Sequence, residues 1–231
     1  MTPGAGPPPK RESLRIALEC HTCLEWLTPS VDAMRARWPQ VDIEVVTGHP
    51  SDPVSLLHEQ VADAHVANAH VADIALVDHL EPEPHTEFFN LFRYRLMAIL
   101  ANDHPLAQKK VLEAEDFRDA ELVTYPIQED ALNIVRKLLK PAGIPYTRRT
   151  MALTLAIVMR VSTSRGIAVL PRWVVEPYLQ RKDVTARPIT AQGLIADVWA
   201  ATRTEDCDKP CLVDFMALIR ATSATHLADI V

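Results

Sequence analysis

The apolar residues of this chain follow two alternating rhythms. Short, dense runs read as buried strands, and runs spaced by three and four read as helices with one covered face. Leu14–Leu18 is the first strand. A helix is predicted from about Cys23 to Trp38, with Leu24, Leu27, Val31, Met34 and Trp38 on one side, and Pro39 ends it. Val41–Val46 is a second strand, Pro53 opens a helix continuing past Leu57, and Ile74–Val77 is a third strand. Leu91–Leu100 and Leu122–Tyr125 are strands; Gln128–Leu139 is a helix stopped at Pro141-Ala142-Gly143. Ala152–Ser164 is helical, Ile167–Leu170 a strand, Trp173–Lys182 a helix, and Val184–Ile189 and Ile195–Thr202 strands. A last helix covers about Pro210 to Thr222. Repeated strand–helix–strand units predict an α/β fold with a mostly parallel sheet covered by helices on both faces.

The series restarts near residue 100, where an apolar strand gives way to polar, Pro-containing sequence, and shifts again near Thr202–Asp208. Two such crossings predict two Rossmann-like lobes joined by two crossover strands. Residues 1–13 would be a disordered tail or linker remnant, 14–99 with 204–227 one lobe, and 100–203 the other. In open α/β sheets ligands sit beyond the carboxyl ends of the strands, so the expected site is a cleft between the lobes.

Composition narrows the function. The net charge of −6 argues against nucleic-acid binding by this chain alone, because phosphate contacts need a basic surplus. No apolar run is long enough to span a bilayer, and Met1–Ser13 has no apolar core of an export signal. A soluble, cytoplasmic chain with reduced thiols is expected. No Gly-x-Ser-x-Gly, Walker or His-Glu-x-x-His motif occurs, so no catalytic set and no cofactor is predicted.

The densest polar cluster is Glu19-Cys20-His21-Thr22-Cys23-Leu24-Glu25-Trp26, at the exit of the first strand. The free N–H groups of the following helix attract an anion, and the Thr22 hydroxyl adds a donor. The Cys20/Cys23 spacing has other readings. It could be a thiol-redox pair, half of a metal site, or two partly buried structural thiols. Against a metal, the remaining cysteines, Cys207 and Cys211, are four apart in a distant loop and helix. No metal ligand set is predicted. A transport-type binding protein would share the cleft but needs export.

The stretch Leu14–Val41, with its Glu-Cys-His-Thr-Cys run, Trp26-Leu27-Thr28-Pro29 and Trp38-Pro39-Gln40-Val41, resembles the start of the effector-binding domain of LysR-type transcriptional regulators. Within that family it looks most like the homocysteine-responsive activators of methionine biosynthesis. His104-Pro105-Leu106-Ala107, Leu122–Gln128, Pro141-Ala142-Gly143 and Gly166–Val175 extend the resemblance over roughly residues 14–220. It implies a periplasmic-binding-protein-like fold of type 2, a small-molecule coinducer (homocysteine or a related amino acid), and a homodimer formed through the sides of the lobes. It also implies a ligand site drawn from His21, Thr22, Cys23 and Trp26, from Asp78, and from Tyr125, Pro126, Gln128, Leu153 and Thr154. Thr22 and nearby N–H groups would take a carboxylate, and Asp78 an α-ammonium. Each has a plainer role: Trp26 as helix-face core, His21 as a helix cap, Tyr125 as a brace for the hinge, Asp78 as a solvated acid.

Two features depart from the family pattern. Thirteen residues with four prolines ahead of the first strand leave no room for a recognition helix, so this chain alone is not expected to read DNA. The segment Val61–Asp73 carries a local repeat and lacks the usual glycine; it reads as a solvated helical extension, since His65 and His70 are five apart, which is not a helical metal-ligand spacing.

Overall fold

A computed structural model of the chain describes residues 12–18, 24–46, 52–60, 70–163, 166–227 and 229–231, and for Leu24 and Glu25 the backbone only. In chain order it contains β1 (Glu12–Leu18), α1 (Leu24–Arg37), β2 (Val41–Val46), a single 3-10 turn (Ser55–Leu57), β3 (Ile74–Val77) and β4 (Thr86–Leu100). Then come β5 (Glu121–Thr124), a π turn (Val135–Leu139) running into α2 (Lys140–Ala142), β6 (Thr147–Thr150) and α3 (Thr154–Ser162). The remainder is β7 (Ala168–Pro171), α4 (Arg172–Gln180), β8 (Thr185–Pro188), β9 (Leu194–Arg203) and α5 (Pro210–His226).

The chain divides into two compact units. One holds the described residues up to Leu91 together with Trp199–Thr225; the other holds Phe92–Val198 and His226–Val231. The chain therefore passes between them three times: within β4, within β9 and at the end of α5.

In the first unit β1 pairs in parallel with β2 and β3, and β3 pairs antiparallel with β9. Leu14, Ile16, Ile74 and Leu76 are buried from these strands, and Phe215 and Ile219 from α5. Trp26, Leu27, Ser30 and Met34 form the covered face of α1, spaced by three and four as the pattern requires. The Ser30 and Thr222 hydroxyls meet at 2.6 Å, and the Asp214 carboxylate on α5 accepts from Arg37 and from Trp38 Nε1 (2.8 Å).

The helix expected after Pro53 is one turn only. Ahead of it, Asp52 Oδ1 accepts from Ser55 N at 3.1 Å. Its carbonyls are then spent elsewhere. Leu56 O accepts from Ala72 N and Leu57 O from the Arg203 guanidinium, so their partners come from elsewhere in the chain and not from a further turn. The Arg203 side chain, 6% exposed, also donates to Ala72 O, Asp206 and Asp73. It thereby ties the end of β9 to both ends of segment 58–71. Of the Val61–Asp73 repeat, residues 61–69 lie outside the described ones; its base is a bridge between Gln60 and His70.

In the second unit β4 pairs antiparallel with β7 and β8, and β5 pairs in parallel with β6. Among the described strands antiparallel pairing is as prominent as parallel, which corrects the expectation of a mostly parallel sheet. The reason is topological: β4 and β9 run between the units, and each is met by strands of opposite direction. Leu112, Phe117, Val135, Leu139, Ile157, Val161 and Val175 fill the core. The helix expected over Gln128–Leu139 is broken up. Glu129–Ala131 is a 3-10 turn, and the π turn then accommodates Pro141, which has no N–H and clashes in a regular α turn. The stop falls within the expected Pro141-Ala142-Gly143 run, at Gly143, in the left-handed region at φ +63°. β6 carries Thr-Arg-Arg-Thr and has no apolar residue, so no hydrophobic rhythm announced it.

After α5 the chain joins the second unit along β4. Arg95 N donates to Asp229 O (3.0 Å), Val231 N donates to Arg93 O (2.9 Å), and Tyr94 pairs with Ile230. Just before the crossing in β4, Arg220 of α5 donates twice to Asn90 O.

Candidate functional site

Strand ends and helix starts carry the candidate residues. In the first unit, β3 is buried throughout and delivers Asp78 at its carboxyl end. Asp78 Oδ1 lies 2.9 Å from His79 Nδ1, and Glu81 Oε1 lies 3.4 Å from His79 Nε2. A small cavity of about 60 Å³ beside this chain of groups is lined by Asp52, Pro53, Val54, Val77, His79, Glu81 and Glu83. Three of those seven are carboxylates, so the pocket favours a cationic group over an anionic one. Trp26 is 2% exposed and forms part of the core. His21, Thr22 and Cys23, with Cys20, lie outside the described residues.

In the second unit, β5 ends at Thr124 and the chain turns through Tyr125, Pro126 and Gln128; the last two are exposed. The Tyr125 hydroxyl meets Thr154 Oγ1, at the first residue of α3, at 2.6 Å. Leu153, in the N-cap position, is 66% exposed and makes no capping bond through its side chain. Structure thus brings Tyr125 and Thr154 together and leaves Pro126, Gln128 and Leu153 on the surface nearby in sequence.

A residue that sequence reading missed organises this loop. Arg148 on β6 donates from Nε to Thr124 Oγ1 (2.9 Å) and from Nη2 to Tyr125 O (3.0 Å) and Ile127 O (2.6 Å). Nothing in Thr-Arg-Arg-Thr distinguishes Arg148 from its neighbour, which turns instead to Glu121. Glu121 also receives a two-pronged contact from Arg160 (2.8 and 2.9 Å), and these bonds hold its carboxyl below the ordinary glutamate value. Tyr146 donates to Glu129, and burial together with that bond pushes its hydroxyl up to about 12.

Size alone does not locate the site. A larger cavity, about 400 Å³, opens between β4, α4 and β8, but none of the predicted residues lines it. No group of three His, Cys, Asp or Glu gathers for a metal among the described residues. Burial and neighbouring carboxylates push the Cys207 thiol up, and burial does the same for Cys211, so neither is an activated nucleophile. No helix among the described residues is long and apolar enough to cross a membrane.

Two α/β units joined by long shared strands, with polar loops at the strand ends, define a periplasmic-binding-protein-like ligand-binding fold. Residues 9–224 match the model of the LysR substrate binding domain, and the chain belongs to that family. It is 42% identical over 214 residues to the HTH-type transcriptional regulator MetR of Haemophilus influenzae, covering 93% of this chain and 66% of that protein. The chain thus spans just under two thirds of the length of that relative. The regulatory domain of MetR from N. meningitidis, as a cysteine-to-serine double mutant, is 41% identical with a TM-score of 0.81, over 95% of this chain and 98% of that one. The BenM effector binding domain with its effector benzoate shares the fold at 16% identity, with a TM-score of 0.72 over 93% of both chains.

Proposed function

We propose that the chain is the effector-binding part of a cytoplasmic transcriptional regulator of methionine biosynthesis, that it binds homocysteine or a related amino acid, and that it is not an enzyme. The observation that carries this is the 42% identity to a MetR protein across 93% of the chain. The chemistry on each unit is consistent with a zwitterionic ligand. Asp78 and the carboxylates near it suit an α-ammonium, and the Tyr125–Gln128 loop carries a hydroxyl and is held by the Arg148 guanidinium of β6. His21, Thr22, Cys23 and Trp26 complete the proposed set on the first unit, and Pro126, Leu153 and Thr154 complete it on the second. The regulator works as a homodimer in this reading. Leu155 and Met159, four apart on α3 and 53% and 61% exposed, supply an apolar face for association.

Thermal unfolding tests the ligand. A ligand that binds only the folded state at a hundred times its Kd adds about 2.7 kcal/mol and raises Tm accordingly. Millimolar homocysteine is expected to raise Tm more than equal concentrations of methionine or serine. A shift with methionine but none with homocysteine overturns the assignment.

A further inference from the structure

Arg148 is half-buried, and its guanidinium is pinned by three hydrogen bonds whose acceptors are all neutral: one hydroxyl and two backbone carbonyls. No carboxylate among the described residues lies within ion-pair distance of it. Of the neighbouring charges, Arg149 and Arg160 share Glu121, and Glu129 accepts the Tyr146 hydroxyl and makes no ion pair with Arg148. Only Nε and Nη2 are used, so both hydrogens of Nη1 remain without a protein acceptor among the described residues. Arg136 and Arg220 also have neutral partners only, but both are exposed. Arg187, half-buried on β8 and likewise held by neutral groups, differs. Its Nε, Nη1 and Nη2 all donate, to Ala107 O, Thr185 Oγ1 and Ala186 O.

A half-buried cation with neutral partners and spare donors has lost part of its hydration without gaining a counter-ion. A planar guanidinium in that state presents a fixed fork to a carboxylate. We infer that Arg148 receives the anionic group of the effector in the second unit; this rests on the chain being an effector-binding domain. The same guanidinium holds Tyr125 O and Ile127 O, and the Tyr125 hydroxyl meets Thr154. An anion at Nη1 therefore bears on the loop after β5 and on the first residue of α3 through one rigid group. It places the carboxylate at a residue outside the set expected from sequence, where Thr22 had that role.

The test compares Arg148→Met and Arg148→Lys with the unaltered chain by titration calorimetry. The probes are homocysteine, its decarboxylated analogue 3-aminopropane-1-thiol, and inorganic phosphate. Arg148→Met is expected to weaken homocysteine by at least about tenfold, as loss of a charge-assisted pair does, and to leave the decarboxylated analogue unchanged. Arg148→Lys, which keeps the charge and loses the fork, falls between. A role confined to bracing the loop would weaken both thiols by the same factor, and that result, or no change in either, overturns the inference. Should the unaltered chain fail to bind homocysteine, the homocysteine reading falls and phosphate decides. A Tm rise in millimolar phosphate that Arg148→Met abolishes and Arg148→Lys retains upholds Arg148 as the anion receptor; equal shifts in all three proteins, or none in any, overturn it.

Discussion

The Tyr125 hydroxyl and the Thr154 hydroxyl lie 2.6 Å apart and join the loop after β5 to the first residue of α3. The two residues are 29 positions apart, so the bond closes a long segment of chain on itself. Tyr125→Phe and Thr154→Val each remove it, and each is expected to cost about 1 kcal/mol in urea unfolding. The double variant is expected to cost little more than either alone, because one interaction is lost in all three. Full additivity would mean that the two hydroxyls act through other partners.

Arg203 concentrates more bonding than any other described side chain. It reaches Leu57 O and Ala72 O at 2.7 Å each, and pairs with Asp206 and Asp73. Arg203→Met leaves Asp206, itself 9% exposed, with Lys209 alone, and strands two buried carbonyls. The expected loss is about 3–5 kcal/mol, the range for breaking one side of a buried pair. Denaturant midpoints measure it, and a loss under 1 kcal/mol would show that the cluster is relaxed by water.

Acid stability follows from Glu121. Its carboxyl is held below the ordinary value by the Arg160 hydrogen bonds, opposed by partial burial and aided by Arg149. The folded state therefore binds fewer protons than the unfolded chain just below the ordinary glutamate value of about 4.3. The contribution is fully present above that pH and is lost as pH falls through the folded value. Glu121→Gln is expected to lower stability at pH 7 and to flatten its decline as pH falls below the ordinary glutamate value of about 4.3. An unchanged slope would place the acid sensitivity elsewhere, with Asp206 the next residue to test, since Lys209 and Arg203 hold it down against the upward push of burial.

Two glycines separate backbone strain from crowding. Gly143 adopts φ +63° with nothing within 4 Å of where a Cβ would stand. Gly143→Ala is expected to cost about 1 kcal/mol, the left-handed penalty alone. Gly166, at φ +111°, would place a Cβ 2.7 Å from both Glu121 O and Val123 Cγ2. Gly166→Ala is expected to cost about 1–3 kcal/mol more, from overpacking against β5. Paired thermal melts check the difference, and equal losses would show that β5 yields.

Most strands were legible because burial left a mark on their composition. Ile74–Val77 is fully buried, and every residue is aliphatic. The N-terminal helix was legible from Leu27 and Met34 and from the proline after Trp38. What escaped is what hydrogen bonding decides rather than burial. At the turn Ser55–Leu57 the Leu57 carbonyl bonds to Arg203, 146 positions later, instead of to a following helical amide. β6 exists because its backbone pairs with β5, and its Thr-Arg-Arg-Thr side chains give no apolar signal. At the site, the resemblance supplied Tyr125 and Thr154 but not the arginine between them in sequence that fixes the loop. A charged residue whose partners are carbonyls has no pattern for a sequence to display.

The residues after α5 satisfy backbone groups of β4. Arg220 grips Asn90 ahead of the crossing in β4, and Asp229 and Val231 grip Arg95 and Arg93 beyond it. Without that tail the Arg95 amide and the Arg93 carbonyl of β4 would lose their partners, so shortening the chain after α5 bares a stretch of strand backbone to water or to another strand.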